Sequence, residues 1–133
     1  MVNPIEGAGK TVNPNDIRFS QSSVNGAKAI TESMKANGWV GDPIDVVKMS
    51  DGKLTTVDNT RVLAAKNAGI DVQANIHVAS DPIPADVAVR FTSKNGTIPK
   101  TWGEAVTNRI NNQNSTYRTT YPNGSYITGW DGK

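Results

Sequence analysis

The chain predicts a small α/β domain in which a mixed β-sheet is flanked by helices. Three observations carry that expectation. Short apolar runs of period two alternate with segments whose apolar residues recur every three or four positions. Gly, Pro and Asn punctuate the joints between them. The 133 residues suffice for one core without a disulfide or a structural metal. Residues 1–14, rich in Gly, Asn and Pro, read as a linker stub, so a single domain is expected over 15–133.

Asp16–Ser20 is the first expected strand. Ser22 or Ser23 is placed to cap a helix carrying Val24, Ala27, Ile30 and Met34 and ending at Asn37-Gly38, with Trp39 folded back on its end. Gly41-Asp42-Pro43 predicts a turn, Ile44–Met49 a buried strand, Ser50-Asp51-Gly52 a hairpin loop and Lys53–Val57 the returning strand. Asp58 is then an N-cap for a helix with Val62, Leu63, Ala65 and Ala68 as its buried stripe and Gly69 as its stop. Val72, Ala74, Ile76 and Val78 alternate with Gln73, Asn75 and His77, which predicts a strand with one apolar and one polar face and puts His77 on the polar one. Pro82 and Pro84 introduce a short helix over Ala85–Phe91, and Lys94-Asn95-Gly96 a turn. Thr101-Trp102-Gly103-Glu104 has the form of a capping box opening a last helix that buries Trp102, Ala105, Val106 and Ile110. Beyond Asn114 the chain is polar and aromatic with no clear period.

The absence of Cys excludes disulfides, thiolate zinc sites and a Cys nucleophile. No run is long and apolar enough for a membrane helix, and Met1–Ile5 lacks the charged and apolar regions of a signal peptide. The net charge of +2 is unevenly distributed: residues 1–89 hold 8 Lys/Arg against 10 Asp/Glu, and residues 90–133 hold 6 against 2. The basic C-terminal third also contains Trp102, Tyr117, Tyr121, Tyr126 and Trp130, so it combines charge for phosphates with rings for stacking on bases. The alternative is a solvated tail whose rings pin it to the core.

The polar knuckle Val57-Asp-Asn-Thr-Arg61 breaks a helix rule, because Arg61 places a cation in the first, electropositive turn. Beside free backbone N–H groups it reads as half of an anion site, with phosphate the obvious anion. An Arg paired with Asp58 or lying in solvent is the other reading.

Pro43-Ile-Asp-Val-Val, the Asp51-Gly52 hairpin and Val57–Ile70 resemble the core of ParB/sulfiredoxin-type domains, which bind phosphate at this strand-to-helix knuckle. The usual Asp-Gly-His-His-Arg type knuckle is here Asp58-Asn-Thr-Arg61. The fuller order, Ile17-Arg-Phe-Ser-Gln-Ser, Asn37-Gly-Trp, Thr55–Arg61, Ala74-Asn-Ile-His77 and Thr101-Trp-Gly-Glu-Ala-Val, is similar over residues 15–125 to C-terminal toxin domains of contact-dependent growth inhibition and Rhs-type polymorphic toxins. That resemblance implies a monomeric domain carried to the cell surface or secreted within a larger delivery protein. It would act on nucleic acid in the target-cell cytoplasm and be neutralised in the producer by a cognate immunity protein. Several such relatives are tRNA nucleases, some dependent on elongation factor Tu and hence on GTP. The linker stub would mark the junction with the delivery protein.

The residues narrow the chemistry independently. RNA carries its own nucleophile, the 2′-OH, and can be cut by an acid/base pair plus a cation. The single His, with no HExxH, HNH-like or paired-carboxylate spacing, makes a dedicated metal site or cofactor unexpected. The expected activity is therefore a metal-independent ribonuclease acting on tRNA. A ParB-like module that grips nucleotide or DNA without cutting, and a metal-dependent DNase toxin, are the alternatives. His77 is the proton-transfer candidate and Arg61 the stabiliser of the charged phosphorane. Asp58 is a cap and an orienter of Arg61 rather than a base. Thr55 and Thr56 lie on opposite faces of one strand, so only one can point at the knuckle, with Thr56 assigned to catalysis and Thr55, Asn59 and Thr60 to substrate. Arg18 could reach the same cleft or pair with Asp16 or Asp45. Arg109 and Arg118 would track the RNA backbone while Tyr117 stacks on a base. An acidic immunity protein is expected over the surface around Arg61, His77 and Arg109.

Overall fold

Neighbouring residues on a strand point to opposite faces of a sheet, and Val46 and Val47 are both completely buried. A strand apolar on both sides needs cover on both sides. The computed structural model of the chain, which describes residues 7–130, provides that cover in three layers. The strands are β1 (Gly7–Val12), β2 (Ile17–Arg18), β3 (Ser23–Val24), β4 (Ile44–Lys48), β5 (Leu54–Thr56), β6 (Val72–Val78) and β7 (Gly129–Trp130). The helices are α1 (Ala27–Asn37), α2 (Asn59–Ala68), α3 (Ala85–Ala88), α4 (Trp102–Asn111) and α5 (Ser115–Thr120). The main sheet is mixed, in the order β1-β6-β4-β5-β2, with β4/β6 and β2/β5 parallel and the other two pairs antiparallel. A separate pair joins β3 to β7.

On one face α1 and α2 bury Ala27, Met34, Val62, Leu63, Ala64 and Ala65 against Ile17, Ile44, Val46, Val72 and Ala74. On the other, Ala88, Phe91, Trp102, Ala105, Val106, Ile110 and Tyr117 close over Val47, Met49 and Val57. Among the described residues no helix is long and apolar enough to cross a membrane.

Three expectations need correction. Gly7–Val12, within the segment expected to be a linker, is a sheet edge strand: Lys10, Thr11 and Val12 pair with Ala74, Gln73 and Val72 of β6. An edge strand is supported from one side only, so its sequence shows little apolar alternation. Residues 1–6 of that segment lie outside the described residues. Second, α1 begins at Ala27 behind Gly26, with no side-chain cap, and Val24 belongs to β3. The pairing of Ser23–Val24 with Gly129–Trp130 bridges the two ends of the domain, which no local capping signal reveals.

Third, Tyr117 is not free to stack on a base: as in the alternative reading, its ring pins the C-terminal third to the core. Asn114 caps α5 by accepting from Tyr117 N at 2.8 Å, and Tyr117 is buried with its hydroxyl donating to Phe19 O at 3.1 Å. Phe19 and Ser125 exchange backbone hydrogen bonds of 2.6 and 3.0 Å. Gly124, at φ +109, permits this approach, since a Cβ there would lie 2.7 Å from Phe19 O. Trp130's side chain lies outside the described residues.

Burial, reinforced by Tyr121, pushes the Tyr117 phenol up from 10.0 to about 12. A folded-state value above the unfolded one means that stability is complete below pH 10.0 and is lost as the pH rises toward 12. Tyr117→Phe should cost about 1 kcal/mol at neutral pH and be less sensitive to alkali than the wild type. Urea unfolding at neutral and alkaline pH checks both; parallel losses in the two proteins would contradict the burial of the phenol.

Candidate active site

Strand register brings a carboxylate to the single histidine. In the parallel β4/β6 pair Asp45 lies opposite Asn75 and Val47 opposite His77, so Asp45 and His77 share a sheet face. Their side chains meet at 2.8 Å, His77 Nε2 to Asp45 Oδ1. The carboxylate accepts from Nε2–H, which assigns the tautomer and leaves the acceptor lone pair on Nδ1. Nδ1 makes no hydrogen bond among the described residues. The imidazole also stacks on Trp102, with ring centroids 3.9 Å apart and planes 12° from parallel.

The first turn of α4 delivers Trp102. Thr101 Oγ1 accepts from Glu104 N at 3.2 Å, and the Glu104 carboxylate reaches Lys100 N at 2.8 Å rather than the cap's own N–H. Gly103 N donates to Ala79 O at 2.9 Å, and a Cβ on Gly103 would lie 2.9 Å from both Ala79 Cβ and Ala79 O. Only glycine lets the helix start this close to the end of β6, which presses Trp102 onto His77. Asp45 is anchored through its carbonyl, which accepts from Val57 N and Thr56 Oγ1, both at 3.4 Å.

His77 is thus on the polar face of its strand but not at a free edge: it is 5% exposed, on a strand flanked by β1 and β4. Alternation shows that a strand has two different faces, and the cover over the polar one comes from residues beyond Pro82 that the strand cannot announce. Arg61 is not brought to His77. Its guanidinium donates to Val40 O at 3.1 Å and Asp42 O at 2.8 Å and lies 4.3 Å from the ring centre of Trp39, which packs against the α1/α2 side of the sheet. Asp58 is the N-cap, accepting from Arg61 N at 3.3 Å, and stands 3.9 Å from the Arg61 guanidinium. The knuckle cation therefore joins the 40–42 turn to α2.

The polar residues around the knuckle, Thr60 excepted, are internal ties. Thr55 is fully buried, accepting from Arg18 Nε and donating to Asn123 O. Thr56 is also buried, with Oγ1 accepting from Asp58 N at 2.8 Å. Asn59 is held against Ser20, its Oδ1 accepting from Ser20 N at 2.7 Å. Thr60 is half-buried in the first turn of α2 and makes no side-chain hydrogen bond among the described residues. Arg18 pairs with Asp51 through two contacts of 2.6 and 3.0 Å, not with Asp16 or Asp45. Arg118 donates to Asn111 O and Gln113 O, fastening the α4–α5 joint. Tyr117, in the core, offers no face for a base. Arg109 alone of the expected RNA-contacting groups keeps its guanidinium free of protein hydrogen bonds among the described residues, 5.0 Å from the ring centre of Phe91.

Asp45 enters the site as the partner that sequence reasoning considered only for Arg18. A carboxylate inside the apolar run Ile44–Val47 is the signal that could have found it. Among the described residues no three His, Asp or Glu side chains are grouped to hold a metal ion. Compared with protein-family models the chain matches none, and no curated protein matches it.

The Arg18 guanidinium holds the Asp51 carboxyl down, from 3.8 to about 2. A depressed folded-state value gives stability that is present above pH 3.8 and lost as the pH falls toward 2. Asp51→Asn should therefore flatten the acid limb of the stability curve and cost about 2 kcal/mol at neutral pH, because the buried Arg18 loses its charged acceptor. Urea midpoints between neutrality and acid would show it; an unchanged acid limb would contradict the pairing.

Proposed function

We propose that this domain is a metal-independent ribonuclease toxin, cutting tRNA in a target bacterium, with the His77–Asp45 pair as its proton-transfer centre. The observation that carries the reading is the pair itself: a buried imidazole whose Nε2 lies 2.8 Å from a carboxylate and whose Nδ1 has no hydrogen-bond partner among the described residues. A base oriented in this way is what activation of a ribose 2′-OH requires.

Nδ1 takes the 2′-OH proton as O2′ attacks phosphorus, and Asp45 stabilises the imidazolium that forms. The P–O5′ bond breaks to leave a 2′,3′-cyclic phosphate. The departing 5′-oxygen takes a proton from solvent, and the imidazolium returns its own proton to solvent. Trp102, stacked on one face of the ring, closes that face to the substrate.

The resemblance in motif order to contact-dependent and Rhs-type toxins supports the toxin role, delivery within a larger protein and an immunity partner; some domains of that kind also require elongation factor Tu and GTP. The ParB-like binding module has less support, since the knuckle N–H of Arg61 is taken by Asp58 and the Arg61 guanidinium by carbonyls of the 40–42 turn.

Purified protein should degrade RNA equally with and without chelator, and running the pair of reactions once without and once with elongation factor Tu and GTP tells whether the factor is required. Plasmid loss abolished by chelator would favour a DNase, and binding without loss of either nucleic acid would favour the module. Asp45→Asn should lower cleavage on the order of 10²–10⁴-fold with little change in the urea midpoint, because an amide no longer selects the Nδ1 lone pair. Wild-type cleavage by that variant would remove the pair from the mechanism. His77→Ala is the poorer probe, since truncating a buried stacked ring costs about 2–4 kcal/mol of stability as well.

A further inference from the structure

The guanidiniums of Arg90 and Arg109 converge on one ring, with Cζ atoms 5.4 and 5.0 Å from the centre of Phe91. Among the described residues neither guanidinium makes a hydrogen bond or an ion pair, whereas Arg18, Arg61 and Arg118 are each tied to protein oxygens. Arg90 is exposed and Arg109 half-buried, so the planar fork of Arg109 is partly stripped of water with no protein acceptor in its place. Burial, then repulsion from Arg90, weakens the hold of Arg109 on its proton, and Asp58 only partly opposes this. Two like charges gathered on one aromatic ring without an acceptor form an arrangement that an anion would relieve.

We propose that Arg90 and Arg109 form a phosphodiester-binding clamp on the Phe91 ring, holding a backbone phosphate that flanks the bond to be cut. A guanidinium presents parallel N–H groups that match two phosphate oxygens, and the Phe91 ring gathers both guanidiniums within 5.4 Å of its centre. The clamp is connected to the dyad through α4. Trp102, which carries the stack on His77, and Arg109 are seven residues apart on that helix, so they share a face about two turns, or roughly 10 Å, apart. A strand whose 2′-OH lies at His77 and which follows this face meets Arg109 at a neighbouring phosphate. The placement along the strand rests on the proposed ribonuclease reading; the anion site does not.

Inorganic phosphate is the first probe, followed through the Nε–Hε signals of the arginines in ¹⁵N-labelled protein. The Arg90 and Arg109 signals should move together and saturate while those of Arg18 and Arg118 stay in place. No movement, or equal movement of all arginines, overturns the clamp. A single-stranded RNA oligonucleotide is the second probe, bound to the Asp45→Asn protein so that binding is read without cleavage. Adding Arg90→Ala, an exposed position that leaves the core intact, should reduce the slope of log K against log salt by about 0.7, one phosphate contact on a single strand. Adding Arg109→Lys should keep the slope and weaken binding about tenfold, because the charge remains and the fork does not. Unchanged slope and affinity in both variants overturn the proposal. Phosphate shifts and RNA binding as expected in a protein that cleaves no RNA would leave the clamp standing and remove the ribonuclease; cleavage with no response in either probe would do the reverse.

Discussion

The whole arrangement depends on a five-residue strand that serves two cores. Ile44–Lys48 is hydrogen-bonded to β6 on one edge and to β5 on the other, with Val46 buried toward α1 and α2 and Val47 toward α4. A slip of one residue would exchange those faces, putting Asp45 into the α1/α2 core and turning Ile44 and Val46 away from it, so register is specified from both sides at once. Asp45 inherits that precision. Its carbonyl holds the knuckle through Val57 N and Thr56 Oγ1 while its carboxylate holds His77. The strand that divides the hydrophobic cores therefore also sets the distance between the groups of the candidate site.

The arginines divide by what they are bonded to. Arg18 closes the β4–β5 hairpin through Asp51, Arg61 closes the 40–42 turn onto α2, and Arg118 closes the joint after α4. Each satisfies carbonyls or a carboxylate that would otherwise face partial desolvation. Net positive charge along the chain is thus a poor guide to where an anion can bind. What remains available is decided by which guanidiniums the fold has not already engaged, and among the described residues those are Arg90 and Arg109.

Much of the fold was legible in the sequence wherever the signal was local. The Asp51-Gly52 hairpin, the Asp58 cap, the Gly69 stop, the helix over Ala85–Ala88 and the Thr101 cap each stand within a few residues of the sequence that specifies them. Gly7–Val12, Ser23–Val24 and the packing of Tyr117 were not legible, because each is stabilised by partners at least 60 positions away. The candidate site divides in the same way. The single His was visible as a proton-transfer group, but its partner depends on a parallel pairing between residues 32 positions apart. Arg61 misled for a related reason: its place in the first turn was read correctly, and the oxygens it bonds lie 19 and 21 residues earlier, in a turn whose position against α2 is tertiary.

His77 is hard to account for as a packing residue alone. A ring stacked on Trp102 within an apolar cluster would be served as well by Phe, which fills similar space, carries no polar nitrogens and needs no carboxylate nearby. Instead the chain places there a group that must be hydrogen-bonded to be buried, and places opposite it an aspartate that interrupts an otherwise apolar strand. Each is a local departure from good packing, and each compensates the other. Such paired departures are expected where a titratable group is kept for chemistry rather than for stability, because replacing a buried polar pair by apolar residues of similar volume is often neutral or stabilising. Gly103 adds a third departure, a glycine inside the first turn of a helix, whose lost helix propensity is offset by the close approach to Ala79 that brings Trp102 against His77. Three compromises converging on one imidazole support the proposed proton transfer there more strongly than the histidine would by itself.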